Sequence, residues 1–253
     1  MALNHACLPI PARPLSVAFG QRAIIIPDRY PLSMNRPRLY DLPLFPLNTV
    51  LFPGMPLPLH IFEERYKVLI NDCLRDHAPF GVVLIKSGSE VGAPAEPHLV
   101  GTSTRILSAQ RLPEGKLNIE TVGEDRFRIL ELRRDRPYLS ATVENFPMAD
   151  ADPAIIAALA GRLRPWVSRY MTLLAKAADT PFDPSRIPSE PLALGYLAAI
   201  VLQTPTATKQ TLLSLPCLTD LLDSERRLYR NEIGILKNLL TQTPADDAPF
   251  SPN

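Results

Sequence analysis

The side chains that could do chemistry in this sequence are histidines, cysteines and paired carboxylates, and their spacing argues against a reaction centre. The four histidines, His5, His60, His77 and His98, are scattered. Two imidazoles hold a metal from one helix when they sit a turn apart, as in H-E-x-x-H, and no such pair exists. Each histidine is therefore read as a surface or strand-end residue. The three cysteines, Cys7, Cys73 and Cys217, form neither a C-x-x-C nor any zinc-ligand spacing. A sparse, odd count fits a reducing compartment. Cys73 falls at an apolar position of a predicted helix, where a thiol serves as a small core residue. Glu63 with Glu64, and Asp220 with Asp223, bring carboxylates together as acid/base catalysis requires, but solvated helix faces do this routinely. Gly115-Lys116 is the only Gly-Lys pair, and Leu117 follows it where a phosphate-cradling loop needs Ser or Thr. There is no G-x-S-x-G elbow. The sequence predicts no catalytic residue, no metal site and no cofactor. A hydrolase would need a buried His–carboxylate pair beside a Ser or Cys.

Charge narrows the partners. The 253 residues carry 27 basic and 26 acidic side chains, a net +1, without the basic excess of a phosphate-neutralising protein. The densest basic cluster, Arg126, Arg128, Arg133, Arg134 and Arg136, is interleaved by Asp125, Glu131 and Asp135. It reads as a salt-bridged sheet face, with an anionic partner as the alternative. No apolar run approaches the roughly 18 residues that span a bilayer. Pro9, Pro11, Arg13 and Pro14 interrupt any secretory leader, so a cytoplasmic protein is expected.

The elements follow from periodicity. Residues 1–38 mix prolines with isolated apolar residues and read as a tail, with Met34 as a true start or a targeting peptide as the other readings. Residues 39–147 form a β-rich unit. Asp41 to Leu47 and Pro56 to His60 are proline-bearing strands around the turn Phe52-Pro53-Gly54-Met55. Phe62 to Arg75 places Phe62, Tyr66, Leu69, Ile70, Cys73 and Leu74 on one helical stripe. Further strands are predicted at Phe80–Ile85, Val100–Leu107, Leu117–Val122, Arg126–Leu132 and Tyr138–Phe146, with a loop over 86–97. Many short strands suggest a small barrel. After Pro147 the period becomes helical, and 148–241 reads as a helical unit. Its first helix, Pro153–Ala178, has Asp152 as N-cap and a kink expected at Pro165. Helices follow over Pro191–Leu202, Thr206–Leu215 and Leu218–Leu240. The last carries a seam of Leu218, Leu221, Leu222, Leu228, Tyr229, Leu236 and Leu239. Residues 242–253 read as a disordered tail.

Leu42 to Ile70 opens Leu-Pro-Leu-Phe-Pro-Leu, continues through Phe52-Pro-Gly-Met and Pro-Leu-Pro-Leu, and enters a helix at Glu63-Glu-Arg-Tyr. This resembles the opening of the Lon protease N-terminal domain family. Phe80-Gly-Val-Val-Leu, Val100-Gly-Thr, Gly123-Glu-Asp-Arg-Phe-Arg-Ile, Tyr138-Leu-Ser-Ala-Thr-Val-Glu, Lys209-Gln-Thr-Leu-Leu and Glu225-Arg-Arg-Leu resemble later family motifs in the same order. The likeness covers roughly residues 39–240. It implies an α+β fold, an N-terminal PUA-like pseudo-barrel with one helix followed by a C-terminal helical bundle. It also implies recognition of unfolded or tagged protein substrates; a similar domain acts as an adaptor in cereblon. Full Lon proteases add an ATPase module and a Ser-Lys peptidase, and neither is expected in this sequence of 253 residues.

The expected function is a non-catalytic protein- or peptide-binding module, an adaptor that delivers clients to a separate protease or chaperone. The client is expected on an exposed sheet edge or in the cleft between barrel and helices. His60, Phe62, Glu64, Arg65 and Tyr66, at the start of the first helix, are the expected contact residues. A PUA-like RNA-binding protein is the alternative, and the balanced charge disfavours it.

Overall fold

The computed structural model describes residues 39–88, 96–149 and 151–242. The readings for 1–38, for residues 89–95 of the loop and for the tail from 243 lie outside them. The strands are β1 (Leu39–Leu47), β2 (Pro56–Ile61), β3 (Phe80–Ser87), β4 (Glu96–Pro97), β5 (Val100–Arg111), β6 (Leu117–Arg133) and β7 (Ser140–Asn145). The helices are α1 (Glu64–Asp76), α2 (Pro153–Ala177), α3 (Pro191–Val201), α4 (Thr206–Ser214) and α5 (Leu218–Gln242).

The strands run β1-β7-β6-β5-β3-β4, and β1 also pairs with β3, in parallel, to close the ring. A barrel followed by helices is what the sequence leads one to expect. One difference concerns β6. The two strands predicted over 117–122 and 126–132 are a single strand of 17 residues. Its first half pairs with β2 and its second half with β7. Gly123 makes the continuity possible. A Cβ there would lie 2.4 Å from the Phe52 carbonyl oxygen, so only glycine lets the 52–55 turn cross the strand. The turn is fastened by Gly54 N–H to Gly123 C=O at 2.8 Å and by Gly123 N–H to Met55 C=O at 3.0 Å.

Leu57, Leu59 and Ile61 of β2 face the core, and Pro56, Pro58 and His60 face outward. Proline has no N–H to give a ladder, so positions 56, 58 and 60 direct their backbone away from β6. Of these only His60 has an N–H to offer along that rim. On the inner side of the barrel, Tyr66 and Cys73 of α1 pack with Phe45, Phe80 and Ile119. α1 ends where His77 turns left-handed, φ 50°, and Ala78 N–H returns to Cys73 C=O at 3.0 Å.

In the helical half the Asp152 carboxylate caps α2, accepting from Ala154 N–H at 2.8 Å, and the helix continues through Pro165. α3 is apolar almost all round and lies buried in the middle, as such a helix must. α2 and α5 leave the barrel at one point: Ala149, just before α2, bridges Cys217, just before α5, in parallel. They run side by side, with Tyr170 and Tyr229 meeting edge to face at 5.1 Å. Leu218, Leu221, Leu222 and Tyr229 of the predicted α5 seam are buried, and among the described residues two buried ones lie outside that seam: Ile233, and Glu225 in its central slot. The side chain of Leu239 lies outside those described.

The halves share a core. Val50, Phe52, Leu84 and Val100 of the barrel join the helical cluster. Arg126, 3% exposed, reaches across from β6 and donates to the carbonyls of Leu213 and Leu215, each at 2.7 Å. Gln210 answers from α4, donating to the Val100 carbonyl at 2.9 Å.

Candidate functional site

The groups that could react are placed for structure. Burial first, then Asp72 and Asp76, pushes the Cys73 thiol up to about 12, which keeps it protonated and unreactive. His60 Nδ1 lies 2.6 Å from the Asn118 amide oxygen. His77 is the left-handed residue closing α1. Among the described residues no three His, Cys, Asp or Glu side chains are grouped to hold a metal ion. None of their helices is long and apolar enough to cross a membrane.

The arginine cluster is largely tied to its own sheet. Arg133 pairs with Asp41 at 2.8 Å, and Arg128 pairs with Glu144 at 3.2 Å while lying over the Phe146 ring. Arg136 donates to the Tyr138 hydroxyl at 2.9 Å, which donates to Asp72. Burial lowers the Arg126 pKa, against the pull of the neighbouring Tyr196 hydroxyl.

The residues at the start of α1 do not form one surface. Tyr66 is 3% exposed and stacks on Phe45 at 4.1 Å, so its ring belongs to the barrel core. Arg65 lies over the outer side of that ring at 4.5 Å and pairs with Glu63 at 3.0 Å. Glu64 points to solvent and holds Lys67 at 2.8 Å. His60 and Phe62 remain at the surface, half-buried, with ring centres 6.0 Å apart.

A concavity lies at the far end of the helical half. α2 and α5 are 25 residues each and α3 only 11. At about 1.5 Å per residue, α3 covers less than half of its neighbours' length. Beyond it α2 and α5 flank a groove of about 480 Å3, closed on one side by the 178–182 turn. Met171, Leu174, Phe182, Ile235 and Leu236 supply apolar walls, and Ile235 is 53% exposed. Polar groups line it as well: the Tyr170 hydroxyl accepts the Gln203 N–H at 3.1 Å, and Glu232 belongs to the same lining. Burial chiefly, and then Glu232, raises the Tyr170 phenol, which stays protonated. The sequence signal for this groove was helix length: two helical patterns far outrun the short one between them.

The barrel followed by helices matches a known arrangement. Residues 41–228 match the family model of the ATP-dependent protease La (LON) substrate-binding domain. The chain belongs to this Lon substrate-binding domain family. It is 30% identical over 175 residues to a Lon protease of Anaeromyxobacter dehalogenans, covering 68% of this chain and 21% of that one. A Lon protease of Flavobacterium johnsoniae is 34% identical over 147 residues, covering 56% and 18%. The chain thus corresponds to about a fifth of the length of these Lon proteases. Among solved structures, the Lon N-terminal domain protein from Xanthomonas campestris is 28% identical with a TM-score of 0.50, covering 81% of this chain and 99% of that one. The N-terminal domain of the Mycobacterium avium complex Lon protease shares the fold, with a TM-score of 0.60 at 18% identity and coverage of 76% and 99%. These Lon matches reach the substrate-binding domain; none extends to ATPase or peptidase parts.

Proposed function

We propose that this chain is a recognition module for unfolded or tagged protein clients, and that it holds them in the groove between the far ends of α2 and α5. The observation that carries this reading is the groove itself. It is open, walled by aliphatic and aromatic side chains and edged by a few polar groups, the usual make-up of a site that takes apolar ligands. Membership of a substrate-binding family supports it. The adjoining rings of His60 and Phe62 favour the start of α1 as a second contact. The RNA reading has weaker support, because Arg128 and Arg133 already pair with carboxylates of their own sheet. The bound client passes, in this reading, to a separate protease or chaperone.

The test is fluorescence anisotropy with a reduced, carboxymethylated polypeptide that cannot refold. Ile235→Glu, which puts a charge on the groove wall without removing a core side chain, weakens binding at least ~10-fold, about 1.4 kcal/mol. Phe62→Ser does the same for the α1 contact. Either variant that folds and binds like the unaltered protein removes its surface from the proposal. Crosslinking in lysate with RNase treatment checks the adaptor role: a protease or chaperone subunit retained after RNase supports it, and loss of every partner overturns it in favour of RNA.

A further inference from the structure

The groove is electrically one-sided. Among the described residues, Glu232 is the only charged one in its walls and pairs with no cation. Glu232 lines the groove together with Tyr170 and Gln203, among walls that are otherwise mostly apolar. A second source of negative potential comes from the backbone. α2 terminates in the groove at Ala177 and Ala178, so the negative end of its dipole faces the same space. Lys176, the basic residue of that last turn, is exposed and is not among the walls. At the C-terminal end of α3, by contrast, Lys209 already donates to the Ile200 carbonyl at 3.0 Å and answers that helix's dipole from within the chain. The carbonyls of Leu174, Ala175 and Lys176 at the end of α2 accept only from N–H groups of the turn that follows, and among the described residues no cation joins them in the groove.

We infer that the groove selects an extended polypeptide segment in which an apolar side chain is followed closely by a lysine or arginine: the apolar group enters between Leu174, Phe182 and Ile235, and the cation meets Glu232 and the C-terminal end of α2. This rests on the client-binding reading above and narrows it to a substrate class. The apolar walls supply most of the attraction without direction. Glu232 fixes which way the segment lies and rejects acidic flanks, because a carboxylate brought beside it would be repelled at the moment it lost water.

The experiment uses the full chain and three fluorescein-labelled peptides with one leucine–phenylalanine core, flanked by lysine, glutamine or glutamate. The lysine peptide binds ~3- to 5-fold more tightly than the glutamine peptide, the range of a partly exposed ion pair, and the glutamate peptide binds worst. Glu232→Gln brings the lysine peptide to the affinity of the glutamine peptide and leaves the glutamine peptide unchanged. The lysine advantage shrinks as salt rises. If all three peptides bind equally, and Ile235→Glu abolishes that binding, the client reading stands and the cation inference falls. If none binds and Ile235→Glu changes nothing, the groove reading itself falls. Concentration-dependent dimerisation that Ile235→Glu abolishes would assign the groove to a second copy of the chain and overturn both.

Discussion

Replacing Glu225 by leucine should stabilise the protein, although the position lies in a helix that the fold depends on. Glu225 is 0% exposed on the buried stripe of α5, between Leu221 and Leu222 on one side and Tyr229 on the other, and neither carboxylate oxygen has a hydrogen-bond partner among the described residues. Burial alone raises its pKa well above the ordinary carboxylate value. An unmet polar group of this kind costs about 1–3 kcal/mol, and leucine would remove that cost while burying apolar surface. A net gain of about 2–3 kcal/mol, at 2–4 °C per kcal/mol for a chain of this size, raises Tm by about 4–12 °C. The pH dependence has a definite sign. With the folded pKa above the unfolded one, the folded state binds the extra proton. The contribution is fully present below the unfolded value near 4.3 and is lost as pH climbs towards the raised folded value. Within that window stability falls by about 1.4 kcal/mol per pH unit from this group. Urea unfolding at pH 5, 6, 7 and 8, followed by the single tryptophan, Trp166 in α2, measures it. Subtracting Glu225→Leu from the unaltered chain cancels the other titrating groups; Glu225→Gln, which keeps the shape, should also flatten the slope. Identical pH profiles in all three proteins, or a leucine variant less stable than the original at pH 8, would refute the argument.

Gly123→Ala drives a Cβ to within 2.4 Å of the Phe52 carbonyl oxygen, so it should cost at least ~2 kcal/mol and lower Tm by about 4–8 °C. Gly161→Ala, with nothing near its Cβ on the exposed side of α2, should raise stability by about 0.5–1 kcal/mol; thermal melts of equal sign for the two would contradict the placement of both. Arg126→Ala leaves the carbonyls of Leu213 and Leu215 without their donor and should cost about 2 kcal/mol. Hydrogen exchange should then quicken in α4 and the segment after it while the β2–β6 pairing stays protected, and unchanged exchange in α4 would show that the docking lies elsewhere.

Much of the fold was legible because its elements carry strong local signals. The stripe of α1, the Asp152-Pro153 start of α2 and the alternating strands of the barrel each announce themselves within a dozen residues. The continuity of β6 was not, because the apolar alternation lapses over Gly123-Glu124-Asp125, and only the crossing of the 52–55 segment there accounts for the glycine. Tyr66 lay on the apolar stripe, which already favoured the core, whereas the pairing of Arg65 with Glu63 depends on rotamers that no sequence spacing fixes. Glu225 left one trace: the predicted seam of α5 steps from Leu222 to Leu228 and passes over the slot between. The groove was invisible as a cluster of residues, since Leu174, Phe182, Gln203 and Glu232 meet only once α2 and α5 depart from the barrel together.

The outward prolines of β2 bear on how the barrel meets other chains. A naked strand rim is the usual point at which a folded protein is recruited into an aggregate. Pro56 and Pro58 leave that rim with acceptors but almost no donors, so an arriving strand cannot zip onto it and propagate. That rim therefore offers a neighbouring chain little to pair with, and the barrel is guarded against edge-to-edge growth where β2 is exposed.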